Sequence, residues 1–187
     1  MGAVVLTTRE PALSDAPIRV LPPNEAARRL DELAALLVDA VESGASVNFM
    51  RGLTPDEAAG FWRGQLPGLA DGSRILMAAE AGSRIVGTAM ITFAHQPNQP
   101  HRADITKMLV HSSLRRQGLG ARLLAAAEAA AGAAGRTLLV LDTESGSAGE
   151  RLYARGGWIK VGEIPNISYD PDGRLRAATV FYKDVQP

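Results

Sequence analysis

The chain has 187 residues, and its 20 Lys and Arg balance 20 Asp and Glu, so no global field draws it to nucleic acid, a membrane surface or a strongly acidic partner. It has no cysteine, which excludes a disulfide framework, a thiolate metal site and a cysteine nucleophile. No apolar run approaches the roughly 18 residues of a membrane span and the start lacks the basic and apolar regions of a secretory signal, so a single cytoplasmic domain is expected.

Residues 1–16 mix Pro, Ser, Thr and Asp without periodicity and read as a flexible tail, leaving 17–187 as the domain. "IRVL" from Ile18 is a short strand. Pro22, Pro23 and Asn24 then open a helix whose Leu30, Leu33, Leu37 and Val41 recur at helical spacing, and Gly44 closes it. Thr54-Pro55-Asp56-Glu57 starts a second helix, with Thr at the cap, Pro at the first helical position and Glu three residues after the cap. That helix carries Phe61 and Trp62, read as core or cleft wall. "SRILMAAE" and "RIVGTAMITFA" are apolar runs separated only by "AGS", which forces an antiparallel hairpin. "ADITKMLVHS" is a third strand of that meander. A glycine loop follows, then a helix from about Leu119 to Ala134 ended by Gly135, the buried strand "TLLVLDT", and a short helix around Gly149 to Arg155. "WIKVGEI" and "AATVFYK" close the chain as a strand pair around the turn signal Asp170-Pro171-Asp172-Gly173. The order predicts an α/β (α+β) fold: a mixed, mostly antiparallel sheet of about six to seven strands flanked by about four helices.

The stretch "LRRQGLGARLL", Leu114 to Leu124, places two glycines and three arginines at the mouth of a helix. A helix N-terminus offers unpaired N–H groups and the positive end of a dipole, so it takes anions without needing charged side chains. Gly118 and Gly120 let a ligand approach the backbone, and Arg115 and Arg116 would add charge at the rim, which together describe a diphosphate site. Glycines that merely turn the chain, with solvated arginines, give the same spacing. It is no P-loop, because no Lys-Ser or Lys-Thr follows at the required distance. A dinucleotide site is a rival: Gly118-Leu119-Gly120 follows a strand, and Asp142 ends the next strand where a ribose-binding acid would stand. Leu123 replaces the third glycine, however, and a hairpin precedes the unit.

The stretch "LVHSSLRRQGLGARLL" resembles motif A of the GNAT superfamily of acyl-CoA-dependent N-acetyltransferases, whose Gln/Arg-x-x-Gly-x-Gly/Ala pattern falls on Arg115, Gly118 and Gly120. "GERLYARGGWIKVGEIP" resembles motif B, a short helix bearing Leu-Tyr followed by Gly-Trp and a strand. "GASVNFM", "PNQPHRADITKMLVH", "GRTLLVLDTESGSAGERLY" and "VGEIPN...DPDG" further resemble the tabtoxin-resistance branch, over nearly all of Ile18 to Lys183. The resemblance implies a splayed sheet with the pantetheine arm of acetyl-CoA between the strand ending at Val110 and the strand ending at Asp142. It implies pyrophosphate wrapped by the amides of Arg116, Gln117, Gly118, Leu119, Gly120 and Ala121, and main-chain contacts to pantetheine at Leu109 and Val110. Two positions depart from the relatives. Ser112 stands where many members have Pro, and Ile167 stands where closer relatives have a tyrosine, with Tyr169 two residues on, in a loop that resembles part of the acceptor pocket.

An alkylammonium, with a pKa of about 10.4, must lose a proton before it attacks a thioester, and the departing thiol, at about 8.5, must gain one. The superfamily's acidic residue on the motif A strand falls on Asp104, 11 residues before Arg115, as the base; pairing with Arg102 or Lys107 is its structural alternative. The motif B tyrosine is Tyr153, a proton donor to the thiolate or else a core aromatic with its hydroxyl capped. An amide near Val110 would hold the oxyanion. Ser147 would cap the motif B helix or reach the pantetheine arm. His95, His101 and His111 lack zinc spacing, so no metal is expected, and His101 reads as cleft lining or as a solvated loop residue. The expected activity is transfer of acetyl from acetyl-CoA to the primary amine of a small molecule, by direct attack without an acyl-enzyme. A catalytically decayed acyl-CoA sensor and a dinucleotide-binding oxidoreductase are the alternatives, and a homodimer is the assembly that the superfamily's habit suggests.

Overall fold

The structure, a computed structural model, describes residues 16–186. Strand β1 (Ile18–Val20) leads into α1 (Pro23–Arg28), α2 (Leu30–Glu42), α3 (Pro55–Arg63) and α4 (Leu66–Ala70). Then come β2 (Arg74–Ala81), β3 (Arg84–Phe93), β4 (Arg102–Val110), α5 (Leu119–Ala133), β5 (Leu138–Glu144), α6 (Ala148–Arg155), β6 (Ile159–Tyr169) and β7 (Leu175–Asp184). The seven strands form one sheet in the order β1-β2-β3-β4-β5-β7-β6. Every pairing is antiparallel except β4 with β5.

Several elements depart from the sequence expectation. Of the expected tail, residues 1–15 lie outside the described ones, and Ala16 is buried in the core, its carbonyl accepting from Arg122 Nη2 at 2.8 Å. Pairing with β2 also begins a residue early, since Glu80 N–H donates to Pro17 O. The first helix is two helices, broken at Arg29, whose φ of −114° and ψ of 24° leave the helical region. No Gly or Pro announces this break. Arg29 instead spends its guanidinium on Glu25, Glu32, Glu80 and the carbonyl of Ser83. With α4 added, six α-helical segments stand among the described residues where about four were expected. The α3 start behaves as its sequence predicts: Glu57 N–H donates to Thr54 Oγ1, and Thr54 N–H donates back to the Glu57 carboxylate.

Two cores cover the two faces of the sheet. On one, α2 and α3 bury Leu33, Leu36, Leu37, Val41 and Trp62 against Leu76, Met90 and Leu109, and Trp62 satisfies its indole N–H on Leu33 O at 2.9 Å. On the other, α5 buries Leu119, Leu123, Leu124, Ala127 and Ala131 against Ile91, Ile105 and Leu139. Each fully buried Leu, Ile, Val or Met among them stabilises the fold by about 1.5–3 kcal/mol. Close seating of α5 explains Gly87, where a Cβ would stand 2.7 Å from Leu123 Cδ1 and 3.1 Å from Leu109 O. Glu128 of α5 accepts from Trp158 Nε1 and from Lys183 Nζ, both at 2.7 Å, and so ties the helix to the C-terminal strands.

Candidate active site

The site originates in a sheet that pairs only part of its middle. Strands β4 and β5 match at Arg102↔Leu138, Ala103↔Leu139 and Asp104↔Val140, and then part. Beyond this point β4 continues to Val110 alongside β3, and β5 continues to Glu144 alongside β7, two residues past the expected end at Asp142. Each strand therefore carries an edge that no strand meets, and backbone N–H and C=O groups left in that state call for a ligand or water. A bulge accompanies the opening. The β3–β4 register slips between Thr88 and Met90, Lys107 adopts a φ of +48°, and its carbonyl accepts from Thr88 Oγ1 at 3.0 Å.

The bulge re-aims side chains. Alternation along β4 sends Ala103 and Ile105 toward α5 and leaves Asp104 and Thr106 on the opposite face, so strict alternation would send Lys107 into the α5 core. It lies instead on the α2/α3 face, with its ammonium 5.0 Å from the Phe61 ring centroid and 5.7 Å from that of Phe49. The pair Phe61 and Trp62 thus divides: Trp62 is core and Phe61 is cleft wall. Lys107, which the sequence offered only as a structural partner of Asp104, is the charged side chain that the bulge brings to this face. Its only signal was a lysine at a core-facing position of an apolar strand.

Asp104 stands at the last matched register, at the apex of the opening. Its carboxylate accepts from Arg102 Nη1 at 3.1 Å and makes no ion pair with Lys107. Burial pushes its pKa up, and Arg102 pulls it down less than that. The field of Asp142 adds to the rise; the same field raises Lys107 against the lowering by burial, and raises Tyr153. Asp142, exposed on β5 opposite Val180, is therefore the common electrostatic neighbour of all three. Tyr153 is buried among Trp158 and Phe181, and burial lifts its hydroxyl well above the ordinary tyrosine range. Among the described residues that hydroxyl has no hydrogen-bond partner, so the expected capped alternative is not what is found.

The glycine loop supplies the donors. Arg116 at φ +61° and Gly118 at φ +84° turn the chain, and α5 starts at Gly118 without a side-chain cap. Among the described residues no backbone N–H from Arg116 through Gln117, Gly118, Leu119 and Gly120 to Ala121 has an acceptor, since the first helical bond comes from Arg122 to Gly118 O. The two arginines expected to lend charge there differ in their surroundings. The Arg115 guanidinium donates to Val110 O at 3.1 Å and to Ser43 Oγ at 2.6 Å, fastening the end of β4 to the end of α2, whereas Arg116 is exposed. Ser112 has a structural reason too. Its N–H and hydroxyl each donate to the Asp39 carboxylate at 2.7 Å, a pairing whose N–H half a proline cannot make.

Ser147 caps α6, accepting from Glu150 N–H at 3.1 Å, with Thr143 Oγ1 at 3.4 Å from its hydroxyl. His101 is an exposed loop residue whose carbonyl accepts from Thr137 and Leu138. The "EIPN" segment is not a loop but part of β6, which runs to Tyr169 through a slip between Ile164 and Ser168. Ile167 and Tyr169 are therefore exposed residues of an edge strand. The dinucleotide alternative fails on topology, because a single parallel pair does not make a doubly wound sheet, and Asp142 faces the opening beside Asp104 and Lys107. Among the described residues no group of three or more His, Asp or Glu side chains gathers to hold a metal, and no helix is long and apolar enough to cross a membrane.

Comparison with known proteins agrees with this geometry. A model of the acetyltransferase (GNAT) family matches residues 37–158, well over half of the chain. An acetyltransferase of the GNAT family from Streptococcus pneumoniae superposes with a TM-score of 0.73 at 23% identity, over 91% of this chain and 100% of that one. A Salmonella typhimurium protein described as an acetyltransferase and solved with acetyl-CoA gives 0.72 at 18%, over 92% and 95%. Aminoglycoside 6'-acetyltransferase type Ii gives 0.69 at 20%, over 91% and 98%.

Proposed function

The chain belongs to the acetyltransferase (GNAT) family, and from that premise we propose that it moves the acetyl group of acetyl-CoA to the primary amine of a small molecule, by direct attack in a ternary complex. One observation carries the reading: a row of backbone amides without acceptors, Arg116 to Ala121, flanks an opening whose walls bear Asp104 and Tyr153. The amides suit the pyrophosphate, and the unmatched edge of β4 at Leu109 and Val110 suits the amide-bearing pantetheine arm. Asp104 accepts the proton of the incoming ammonium, directly or through water; the amine forms a C–N bond at the thioester carbonyl, the C–S bond breaks, Tyr153 gives its proton to the departing sulfur, and the second N–H proton of the new amide passes through water to restore the Tyr153 hydroxyl. The raised position of the Asp104 pKa makes its carboxylate a stronger base, and the raised Tyr153 hydroxyl stays protonated until it is needed.

The bound acetyl-CoA of the Salmonella typhimurium protein supports the co-substrate, and the aminoglycoside enzyme supports a small amine acceptor. The resemblance to the tabtoxin-resistance branch favours a toxin-like or antibiotic-like amine, and the cytoplasm as the place of action. A homodimer is part of the proposal, supported by the edge strand β6 with Val161, Ile164 and Ile167 exposed; sedimentation velocity would report it. Calorimetric titration with acetyl-CoA, NAD and NADP tests the whole. Saturable binding of acetyl-CoA with thiol release in the presence of amines supports an enzyme, binding without turnover on any amine points to a sensor, and no binding removes the reading.

A further inference from the structure

Lys107 is a cation that the acetyl-transfer steps do not use. Among the described residues its ammonium makes no hydrogen bond and no ion pair within 4.0 Å, and it rests only over the faces of Phe49 and Phe61. Ring faces attract a cation but accept none of its three N–H bonds in the way an oxygen does. Beside it in sequence, Thr106 Oγ1 is buried and also lacks a partner. Lys107 is partly buried, so its ammonium stays within reach of a ligand, and a cation with so few polar neighbours gains from an anion beside it. The charged group acting on Lys107 is Asp142 on β5, its ammonium rests on Phe49 from the segment after α2 and on Phe61 from α3, and Asp104 and Thr106 stand on its own strand. The opening thus presents two carboxylates, of which Asp142 acts on Lys107 from a distance, and a cation whose N–H bonds have no acceptor beside a hydroxyl that also lacks one.

Resting on the acetyltransferase reading, we propose that Lys107, with Thr106, is a specificity-determining residue that binds an acid group of the acceptor, and that the acceptor is a zwitterion of the α-amino acid type, its ammonium drawn to Asp104 and Asp142. Burial lowers the pKa of Lys107, the energetic sign of a charge waiting for an anion. An acid group close to the nitrogen completes both halves of the site. A simple amine, or an amide that masks the acid, leaves Lys107 unmatched.

The test measures kcat/KM by thiol release with acetyl-CoA, for α-amino acids, their amides and the corresponding decarboxylated amines, on the native protein and on Lys107→Met. The expected result is a preference for the free acid of about tenfold or more, which shrinks to within about threefold in Lys107→Met and returns in part in Lys107→Arg. Amino phosphinates and phosphonates distinguish the kind of acid. Amides used as well as free acids by the native protein would overturn the inference and leave the acetyltransferase reading standing. A preference that survives Lys107→Met would overturn the role of Lys107. Should Lys107→Met not fold, Thr106→Val carries the same comparison, with loss of several-fold of the preference expected. Absence of acetyl-CoA binding and of thiol release with any amine would instead overturn both readings.

Discussion

Asp104 illustrates how one side chain can cost stability and supply chemistry. Its pKa is raised by burial more than Arg102 lowers it, so the folded protein holds the charged form less readily than the unfolded chain does. The sign follows: as pH rises through the range from the ordinary aspartate value to the raised one, this group subtracts from stability. Asp104→Asn is therefore expected to melt at the same temperature as the native protein or higher at neutral pH, while kcat falls by about 10² to 10⁴. Calorimetry and thiol-release kinetics on the same preparation decide it; a variant that is active, or one that is inactive because it has unfolded, counts against the base. In the native enzyme the acid limb of kcat/KM should lie above the ordinary aspartate range, and the variant should lack that limb. Tyr153→Phe keeps the packing on Trp158 and Phe181 and removes only a hydroxyl that makes no hydrogen bond to the described residues. Its stability should hold or rise while kcat drops by about 10², and unchanged turnover would assign the tyrosine to the core alone. Both residues were singled out by the motifs that the sequence resembles. The direction of the Arg115 guanidinium was not, because spacing cannot say whether a cation turns toward a ligand or toward Ser43 and Val110 O.

Among the elements, those that obey local rules were readable and those set by tertiary partners were not. The capping box at Thr54 and the helix–strand alternation around α5 declare themselves in sequence, because the signal and the structure are the same few residues. The break at Arg29 answers to Glu80 and Ser83, more than 50 residues away in the chain, and no local pattern records it. The β4 bulge is similar: it inverts the alternation that sequence reading relies on, and so hides Lys107. The loop before α5 shows both sides. Gly118 was singled out for ligand approach, and its φ of +84° shows it is also required by the backbone, with open space where a Cβ would be. Gly118→Ala is accordingly predicted to cost about 1 kcal/mol of stability through the left-handed conformation, a fall in melting temperature of about 2–4 °C. It should weaken acetyl-CoA binding by a larger factor than it changes KM for the amine. A titration in which acetyl-CoA affinity is unaltered would mean that the loop turns the chain and binds nothing.

At the scale of the whole molecule, the sheet is two half-sheets held at their middle by three matched residue pairs, with α5 laid across and anchored by Glu128 to Trp158 and Lys183. An opening in the middle of the sheet demands firmness at its flanks. On the N-terminal flank the firmness is electrostatic: Arg19 and Arg29 interlock with Glu25, Glu32 and Glu80, and Glu32 also accepts from Ile85 N–H, joining β1, α1, α2, β2 and β3. Individual pairs at a surface stabilise little, but a network in which each arginine serves several carboxylates, some of them part-buried, is a different case. The hydrogen bonds from Arg19 hold Glu25 down to about 2 and hold Glu80 below its ordinary value, and those from Arg29 do the same for Glu32. For an acid with a lowered folded pKa, the stabilisation is fully present above the unfolded value of about 4.3 and is lost as pH falls through the folded one. The melting temperature should therefore decline on acidification from about pH 4.5 toward pH 2, and Glu80→Gln, which removes one of the two carboxylates shared by both arginines, should start lower and decline less steeply. Thermal melts of the two proteins across that range are the check. Parallel curves would place the acid sensitivity elsewhere, in carboxylates such as Asp170 that also sit below their ordinary value, and would leave the N-terminal flank resting on the α2 core rather than on its charges.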